Sequence, residues 1–344
     1  MGSKTIDLRS DTVTTPTDEM REAMKDAEVG DDVLGEDPTV KELEELAARK
    51  MGKEAGLFVT SGTQGNITSL LTHTEPGEEM IMGKHCHIFR YEVGGYSSLA
   101  GLSANTLDDS DGYMEISSIR NAVREENIHH PVTSLLCLEN THNVAGGVPL
   151  DIDYMEKACE IAREDDLNVH LDGARIFNAS TALGIEVSDL VEPVDSIQFC
   201  LSKGLSAPVG SMLVGTEEFI ERARKNRKRL GGGMRQAGVI AAPGMISLEK
   251  MVDRLEEDHA NARRLVEGLK ELGVDIDPDR FKTNIVMMDT SQFGMKAEKL
   301  RTKLEEKNIL TLALGKNSMR FVTHREISSE DIDEVLDVFE NEIF

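Results

Sequence analysis

The 344-residue chain reads as an α/β protein, a large domain followed by a smaller α+β domain. Three observations predict this. Short apolar runs alternate with helical segments from about residue 55 to residue 200, the pattern of a largely parallel sheet between helices. After Gly273 the pattern changes to short strands and two helices. The length also exceeds what one small core needs.

Residues 6 to 15, IDLRSDTVTT, read as an extended arm. Pro16, followed by Thr17, Asp18 and Glu19, opens a helix with an acidic first turn that runs to about Glu28. Thr39 and Glu42 have capping-box spacing ahead of Val40, Leu43, Leu46 and Met51, an apolar set at helical spacing. Strands are expected at AGLFV (55 to 59), EEMIM (78 to 82), SLLCLE (134 to 139), NVHLD (168 to 172) and SIQFC (196 to 200), with a helix over 151 to 165. Residues 217 to 230 and 245 to 272 read as charged amphipathic helices, separated by the glycines at 231 to 233. Then come strands NIVMM (284 to 288), ILTLA (309 to 313) and MRFVT (319 to 323), and a last helix with Ile332, Val335, Leu336 and Phe339 on one face. The expected division is an arm (1 to 15), a large domain (16 to 244), and a linking helix with the small domain (245 to 344). No internal repeat or low-complexity segment interrupts it.

At 39% hydrophobic and 29% charged residues, the chain has no stretch approaching the roughly 20 apolar residues of a membrane span. Acidic residues outnumber basic ones 63 to 38, and the net charge of −25 would repel a phosphate backbone, which argues against nucleic-acid binding. MGSKTIDLRS has no apolar signal core, and Ile6 stands where a myristoylation signal needs Ser or Thr, so a cytoplasmic location is expected. Cys86, Cys137, Cys159 and Cys200 are scattered, two of them inside apolar runs, as buried reduced thiols would be.

Open parallel sheets bind ligands beyond the carboxyl ends of their strands, so polar residues after apolar runs carry the functional signal. AGLFV is followed by Thr60, Ser61, Gly62, Thr63, Gln64 and Gly65, a small-residue turn into a helix whose amides and Thr63 hydroxyl suit a phosphate. It has neither the GK[ST] of a Walker loop nor a GxGxxG. NVHLD ends at Asp172, whose buried carboxylate needs a partner; Arg175 is the nearest candidate for a purely structural pair. SIQFC is followed by Lys203 beside Gly204, either a snorkelling surface lysine or an amine placed to attack a carbonyl. Together a phosphate cradle, a carboxylate and an amine at strand ends supply what pyridoxal 5'-phosphate needs: an imine partner and an anion for the pyridine nitrogen.

Longer strings sharpen this. DLRSDTVT (7 to 14), VGDDVLGEDPTV (29 to 40), TSGTQGN (60 to 66), LENTHN (138 to 143), HLDGARIFNA (170 to 179), CLSKGLSAPVGS (200 to 211) and GGGMRQAG (231 to 238) span most of the chain. The sequence thereby resembles fold-type I pyridoxal phosphate enzymes, and more narrowly the low-specificity L-threonine aldolases. The resemblance implies a mainly parallel seven-stranded sheet between helices and cleavage of threonine or allo-threonine to glycine and an aldehyde. It makes Lys203 the Schiff-base lysine, Asp172 the pyridinium partner and His87 the ring stacked on the cofactor. Gly62 and Thr63 match the phosphate loop; Lys228 and Arg235 match basic residues near the phosphate, contributed by a neighbouring subunit. Ser10, Arg175 and Arg320 match residues that hold the substrate carboxylate, which an arginine fork binds bidentately. Arg175 thereby lies at both cofactor and substrate.

His142 matches a histidine near the substrate hydroxyl and is the favoured general base, with His87 and a bound water as alternatives. One departure stands out: Leu34 follows GDDV where the family usually has Tyr, at a place that bears on substrate preference. GGGMRQ reads on its own as a flexible linker. Through the resemblance it reaches a cofactor in an adjacent subunit, which implies a homotetramer built as a dimer of dimers. The rival readings are β-elimination or transamination on the same fold, a metal enzyme using His85, Cys86 and His87, and a scaffold that has lost its chemistry. The metal reading is weak because no CxxC accompanies these residues, and no metal is expected.

Overall fold

The computed structural model describes residues 4–343. Residues 1 to 3, the start of the expected arm and of the stretch read for targeting signals, lie outside the described residues, as does residue 344. In chain order the strands are β1 (Ile6–Asp7), β2 (Ala55–Val59), β3 (Glu79–Gly83), β4 (Ser103–Leu107), β5 (Thr133–Glu139), β6 (Asn168–Asp172), β7 (Ser196–Cys200), β8 (Ser211–Gly215), β9 (Ile285–Asp289), β10 (Ile309–Leu310), β11 (Leu312–Ala313) and β12 (Ser318–Val322).

Seven of these form one sheet in the order β2-β8-β7-β6-β5-β3-β4. Strands β3 to β7 run parallel, while β8 is antiparallel to both β7 and β2. The sheet is thus mainly parallel, as the alternation predicts, and its central strands are buried on both faces. Two of its strands have no clear sequence signal. The residues of β4, SANTL, are half-buried or exposed because it is an edge strand, so no apolar run marks it. Strand β8 follows so closely on the loop after Lys203 that its pattern merges with that loop.

The helix expected from Pro16 starts at Asp18, where Thr17 accepts the Met20 amide. Such a cap contributes about 1 kcal/mol. The next helix, Pro38–Lys50, is capped by Asp37 and not by Thr39. Pro38 takes the first helical position, where a missing N–H costs nothing, and Thr39 donates instead to the Glu28 carbonyl. The expected helix over 245 to 272 is two helices, Gly238–Lys250 and Leu255–Glu271. No glycine or proline marks the break; the segments serve different cores. Ile246, Leu248, Met251 and Leu255 pack with the large sheet, whereas Ala262, Leu265, Val266 and Leu269 pack with the C-terminal strands.

The C-terminal sheet is antiparallel, in the order β11-β12-β9. The expected strand over 309 to 313 splits at the buried Thr311, because Ile309–Leu310 pairs in parallel with β1 and Leu312–Ala313 pairs with β12. This pairing ties the arm to the smaller core, where Ile6 and Leu8 are buried against Phe321 and other apolar side chains. From there the arm runs back to the carboxyl ends of β6 and β7.

Candidate active site

Asp172 ends β6 and is 2% exposed. Its carboxylate accepts from Asn66 Nδ2 (2.9 Å), Gln198 Nε2 (2.7 Å) and the Ala174 amide (3.1 Å). Burial raises its pKa, but the charges of His87 and Lys203 and the two side-chain hydrogen bonds outweigh that, and the carboxyl is held below its usual range. Asp172 is therefore an anion inside the protein. Arg175 is not its partner.

Lys203 follows β7 in a turn whose carbonyl accepts from Thr14 Oγ1 (3.0 Å) and the Ser206 amide (2.8 Å). Those bonds fix the backbone and leave the side chain half-buried among Asp172, Asp11 and His87, all of which feel its charge. The sequence-predicted cradle lies at the start of the helix Gly62–His73, which Ser61 caps by accepting the Gln64 amide. Gly62 allows a close approach: a Cβ there would lie 3.1 Å from Cys200 Sγ and 3.2 Å from Gln198 Oε1, tighter than ordinary van der Waals contact. The helix start is thereby held against β7, with the Gly62 and Thr63 amides pointing along the axis out of its N-terminal end, as at any helix N-terminus.

His87 opens a short helix, and Glu139, at the end of β5, accepts its backbone amide. Its Nδ1 lies 2.9 Å from Glu92 Oε1, and its side chain is 33% exposed. Burial opposes protonation of the ring, but the Glu92 hydrogen bond and the Asp172 and Glu92 charges raise its pKa. Burial likewise pushes the Glu92 carboxyl above its usual range. Both shifts keep a proton between the two groups. His85 turns to Asp109 (2.7 Å), away from this pair, so the imidazoles of the HCH motif serve different carboxylates.

His142 is 2% exposed and both its ring nitrogens are engaged. Nε2 lies 2.8 Å from Asp109 Oδ2, and Nδ1 accepts the Ala145 amide at 3.2 Å. This is the geometry of an imidazole that orders the 139 to 148 loop, with no lone pair turned toward a ligand.

The arginines expected at a substrate carboxylate converge. Arg175 makes a two-pronged contact with Asp11, Nε to Oδ2 and Nη2 to Oδ1, each 2.7 Å. Arg320 donates to Asn143 Oδ1 and to the Arg9 carbonyl, both at 3.1 Å; its Nε is buried without an acceptor, and no carboxylate among the described residues pairs with it. Burial and the nearby Arg175 charge bring Arg320 down to about 10. A buried guanidinium lacking an anion is a site built to receive one. Ser10 lies on the same arm, where its hydroxyl accepts from the Thr12 amide and hydroxyl. Lys228 and Arg235 are both exposed, Lys228 against Gly233 and Arg235 ion-paired with Asp31 at 3.1 Å, while the neighbouring Gly232 packs against Gln64 of the Gly62 turn. Leu34, three residues from Asp31, is 68% exposed.

A family model described as "Beta-eliminating lyase" matches residues 7–292. The chain belongs to the beta-eliminating lyase family. Within that family this lyase is 47% identical to "Low-specificity L-threonine aldolase 1" of Arabidopsis thaliana, over 99% of this chain and 97% of the relative. It is 44% identical to "Low specificity L-threonine aldolase" of Escherichia coli strain K12, over 96% and 97% of the two chains. Among solved structures, Leishmania major threonine aldolase superposes with a TM-score of 0.84 at 18% identity, covering 98% of this chain and all (100%) of that one. Sphingomonas wittichii serine palmitoyltransferase superposes with a TM-score of 0.78 at 19% identity, covering 98% and 87%. These likenesses place the lyase in fold type I.

Several residues of this lyase's site escape sequence reading: Asp11, Asn66, Glu92, Asp109 and Gln198. Only Gln198 leaves a signal, a lone amide in the middle of the apolar run SIQFC, which must find a partner if buried. Asp11, Asn66 and Asp109 find their partners at long range, Asn66 meeting Asp172 across 106 residues, and Glu92 meets His87 within a short segment that no periodicity marks.

Proposed function

We propose that this chain is a lyase that uses pyridoxal 5'-phosphate to cleave L-threonine, L-allo-threonine and related β-hydroxy-α-amino acids into glycine and an aldehyde. The observation that carries the reading is the convergence of Lys203, the buried anion Asp172 and the carboxylate-free Arg320 at the carboxyl end of one sheet. The residues fit the cofactor: Lys203 would hold its aldehyde, Asp172 its ring nitrogen, and the Gly62–Thr63 helix start its phosphate. When bound, the cofactor draws off the electrons of the bond broken at Cα.

The protein's own part is orientation and proton transfer. Arg320 and the free edge of Arg175 bind the substrate carboxylate together with Ser10, which sets which bond at Cα faces the cofactor plane. His87 is our choice for the group that takes the β-hydroxyl proton. Glu92 holds its Nδ1 side, which leaves Nε2 for the substrate, whereas both nitrogens of His142 are committed.

We also propose that Lys228, Arg235 and the 231 to 236 loop serve the phosphate of a neighbouring subunit, in a homotetramer assembled as a dimer of dimers in the cytoplasm. The exposure of Lys228 and Arg235, which leaves both side chains open to a partner, supports this. No helix among the described residues is long and apolar enough to cross a membrane.

Product analysis tests the reaction. Acetaldehyde and glycine in equal amounts from threonine and allo-threonine are expected. Ammonia with a 2-oxo acid, or an amino-group transfer product, would replace the aldolase reading with elimination or transamination.

A further inference from the structure

Behind Asp172 lies a buried chain of polar groups for which retro-aldol cleavage itself has no use. Asn66 Nδ2 sits between two carboxylates, 2.9 Å from Asp172 Oδ2 and 2.8 Å from Glu92 Oε1. Its Oδ1 lies 3.0 Å from His170 Nε2. His170 Nδ1 in turn lies 2.9 Å from each of the Ser69 and Ser196 hydroxyls, and Ser196 continues to His73 Nε2 at 2.7 Å. Asn66, Ser69, His170 and Ser196 are all fully buried.

Chemistry fixes the direction of this chain. Two carboxylate oxygens accept hydrogen bonds only, so the Asn66 atom between them is the N–H₂ and the amide oxygen faces His170. His170 must then carry its proton on Nε2 and accept a hydroxyl proton at Nδ1. Burial keeps the ring neutral by lowering it to about 4, as this tautomer requires. Were His170 replaced by an acceptor at that position, the amide would turn over and set its oxygen against both carboxylates.

We propose that His170 is a positioning residue that acts through Asn66, aiming the two N–H bonds of one amide at Asp172 and Glu92 and so holding the ring-nitrogen anion and the His87 partner at a fixed separation. This rests on reading Asp172 as the partner of the cofactor nitrogen. The groups that act on Asp172 from the surrounding elements are His87, Glu92, Cys137, Glu139, His142, His170 and Lys203. Of these, Glu92 shares the N–H₂ end of the Asn66 amide with Asp172, and His170 alone holds the amide by its oxygen, so its role is separable from theirs.

The test compares His170→Phe, His170→Gln, Asn66→Leu and the His170→Phe/Asn66→Leu double variant, with Asp172→Asn as reference. Cofactor dissociation and the pH midpoint of the bound cofactor's absorbance are read, with circular dichroism to check folding. With the amide no longer aimed, loss of the Asn66 hydrogen bond to the Asp172 carboxylate predicts about tenfold weaker cofactor binding and a displaced midpoint in His170→Phe. His170→Gln, which can still donate to Asn66 Oδ1, should recover most of both. The double variant should be no worse than Asn66→Leu, because His170 acts through that amide. An unmoved midpoint and affinity in folded His170→Phe would overturn the proposal, as would additive losses in the double variant. Should His170→Phe not fold, Asn66→Leu and His170→Gln still decide, since wild-type affinity and midpoint in folded Asn66→Leu also overturn it. If Asp172→Asn leaves cofactor binding unchanged, the reading of the site fails first and independently.

Discussion

Arg175 and Asp11 face each other through two hydrogen bonds of 2.7 Å, both side chains buried, so the N-terminal arm is locked to the loop that follows Asp172. The sequence offers Arg175 as a partner for Asp172, three residues away; the fold gives it to an aspartate 164 positions earlier. The consequence is that the arm carrying Ser10 is held by a charge pair inside the protein, where its loss is expensive.

Replacing Asp11 by Ala should therefore cost about 3–5 kcal/mol, since it strands a buried guanidinium. Denaturant unfolding measures this. Burial raises the Asp11 pKa, but the Arg175 charge and hydrogen bond and the Lys203 charge bring it far below the usual carboxylate value. A carboxyl depressed in the folded state contributes stability that is complete above its unfolded pKa of about 4 and is lost as pH falls below it. The wild type should thus lose more stability than Asp11→Ala between pH 5 and pH 2, both pH values being approximate bounds of that window. Parallel curves for the two proteins would refute this.

Arg320→Lys keeps the charge and removes the fork. Substrate KM should rise by roughly 10- to 100-fold, the worth of one hydrogen bond to a charged group, with the bound cofactor's absorbance unchanged. Steady-state kinetics beside a spectrum checks it; an unchanged KM means the carboxylate is held elsewhere.

His87 must be neutral to accept a proton, so its raised pKa moves the acid limb of kcat/KM above the ordinary imidazole range, with activity lost as pH falls through that value. Glu92→Gln removes the largest raising cause and leaves burial, which lowers the pKa. The acid limb should then move to lower pH. If His142 were the base, its pair with Asp109 would be untouched and the limb would stay where it is.

Sharing of sites between subunits predicts complementation. Lys203→Ala and Arg235→Ala should each be inactive alone. Dissociated and reassembled together, half of the dimers become hybrids, each with one intact site, giving about a quarter of wild-type activity. Absence of recovery in a mixture shown to contain hybrids would place Arg235 in its own chain's site.

What could be read from the sequence follows from geometry. Asp172, Lys203 and the Gly62 turn stand directly after apolar runs, and parallel strands bring their carboxyl ends to one edge of the sheet. Periodicity alone therefore places them together. Asn66, Glu92 and Asp109 sit on helices and loops, where a polar residue is the norm, and their roles come only from tertiary partners. For His142, motif position puts it near the reaction, while the turn of its loop engages both ring nitrogens with Asp109 and Ala145, contacts that no sequence pattern announces. The helix break at 251 to 254 was equally hidden, since it answers to two cores and not to a local breaker.

The central claim is that Lys203 holds the cofactor on which cleavage depends. The most direct measurement is Lys203→Ala, supplied with pyridoxal phosphate and assayed for acetaldehyde from L-threonine alongside its visible spectrum. The account predicts a folded protein without the absorbance band of lysine-bound cofactor and without turnover. Wild-type acetaldehyde release from that variant would contradict it.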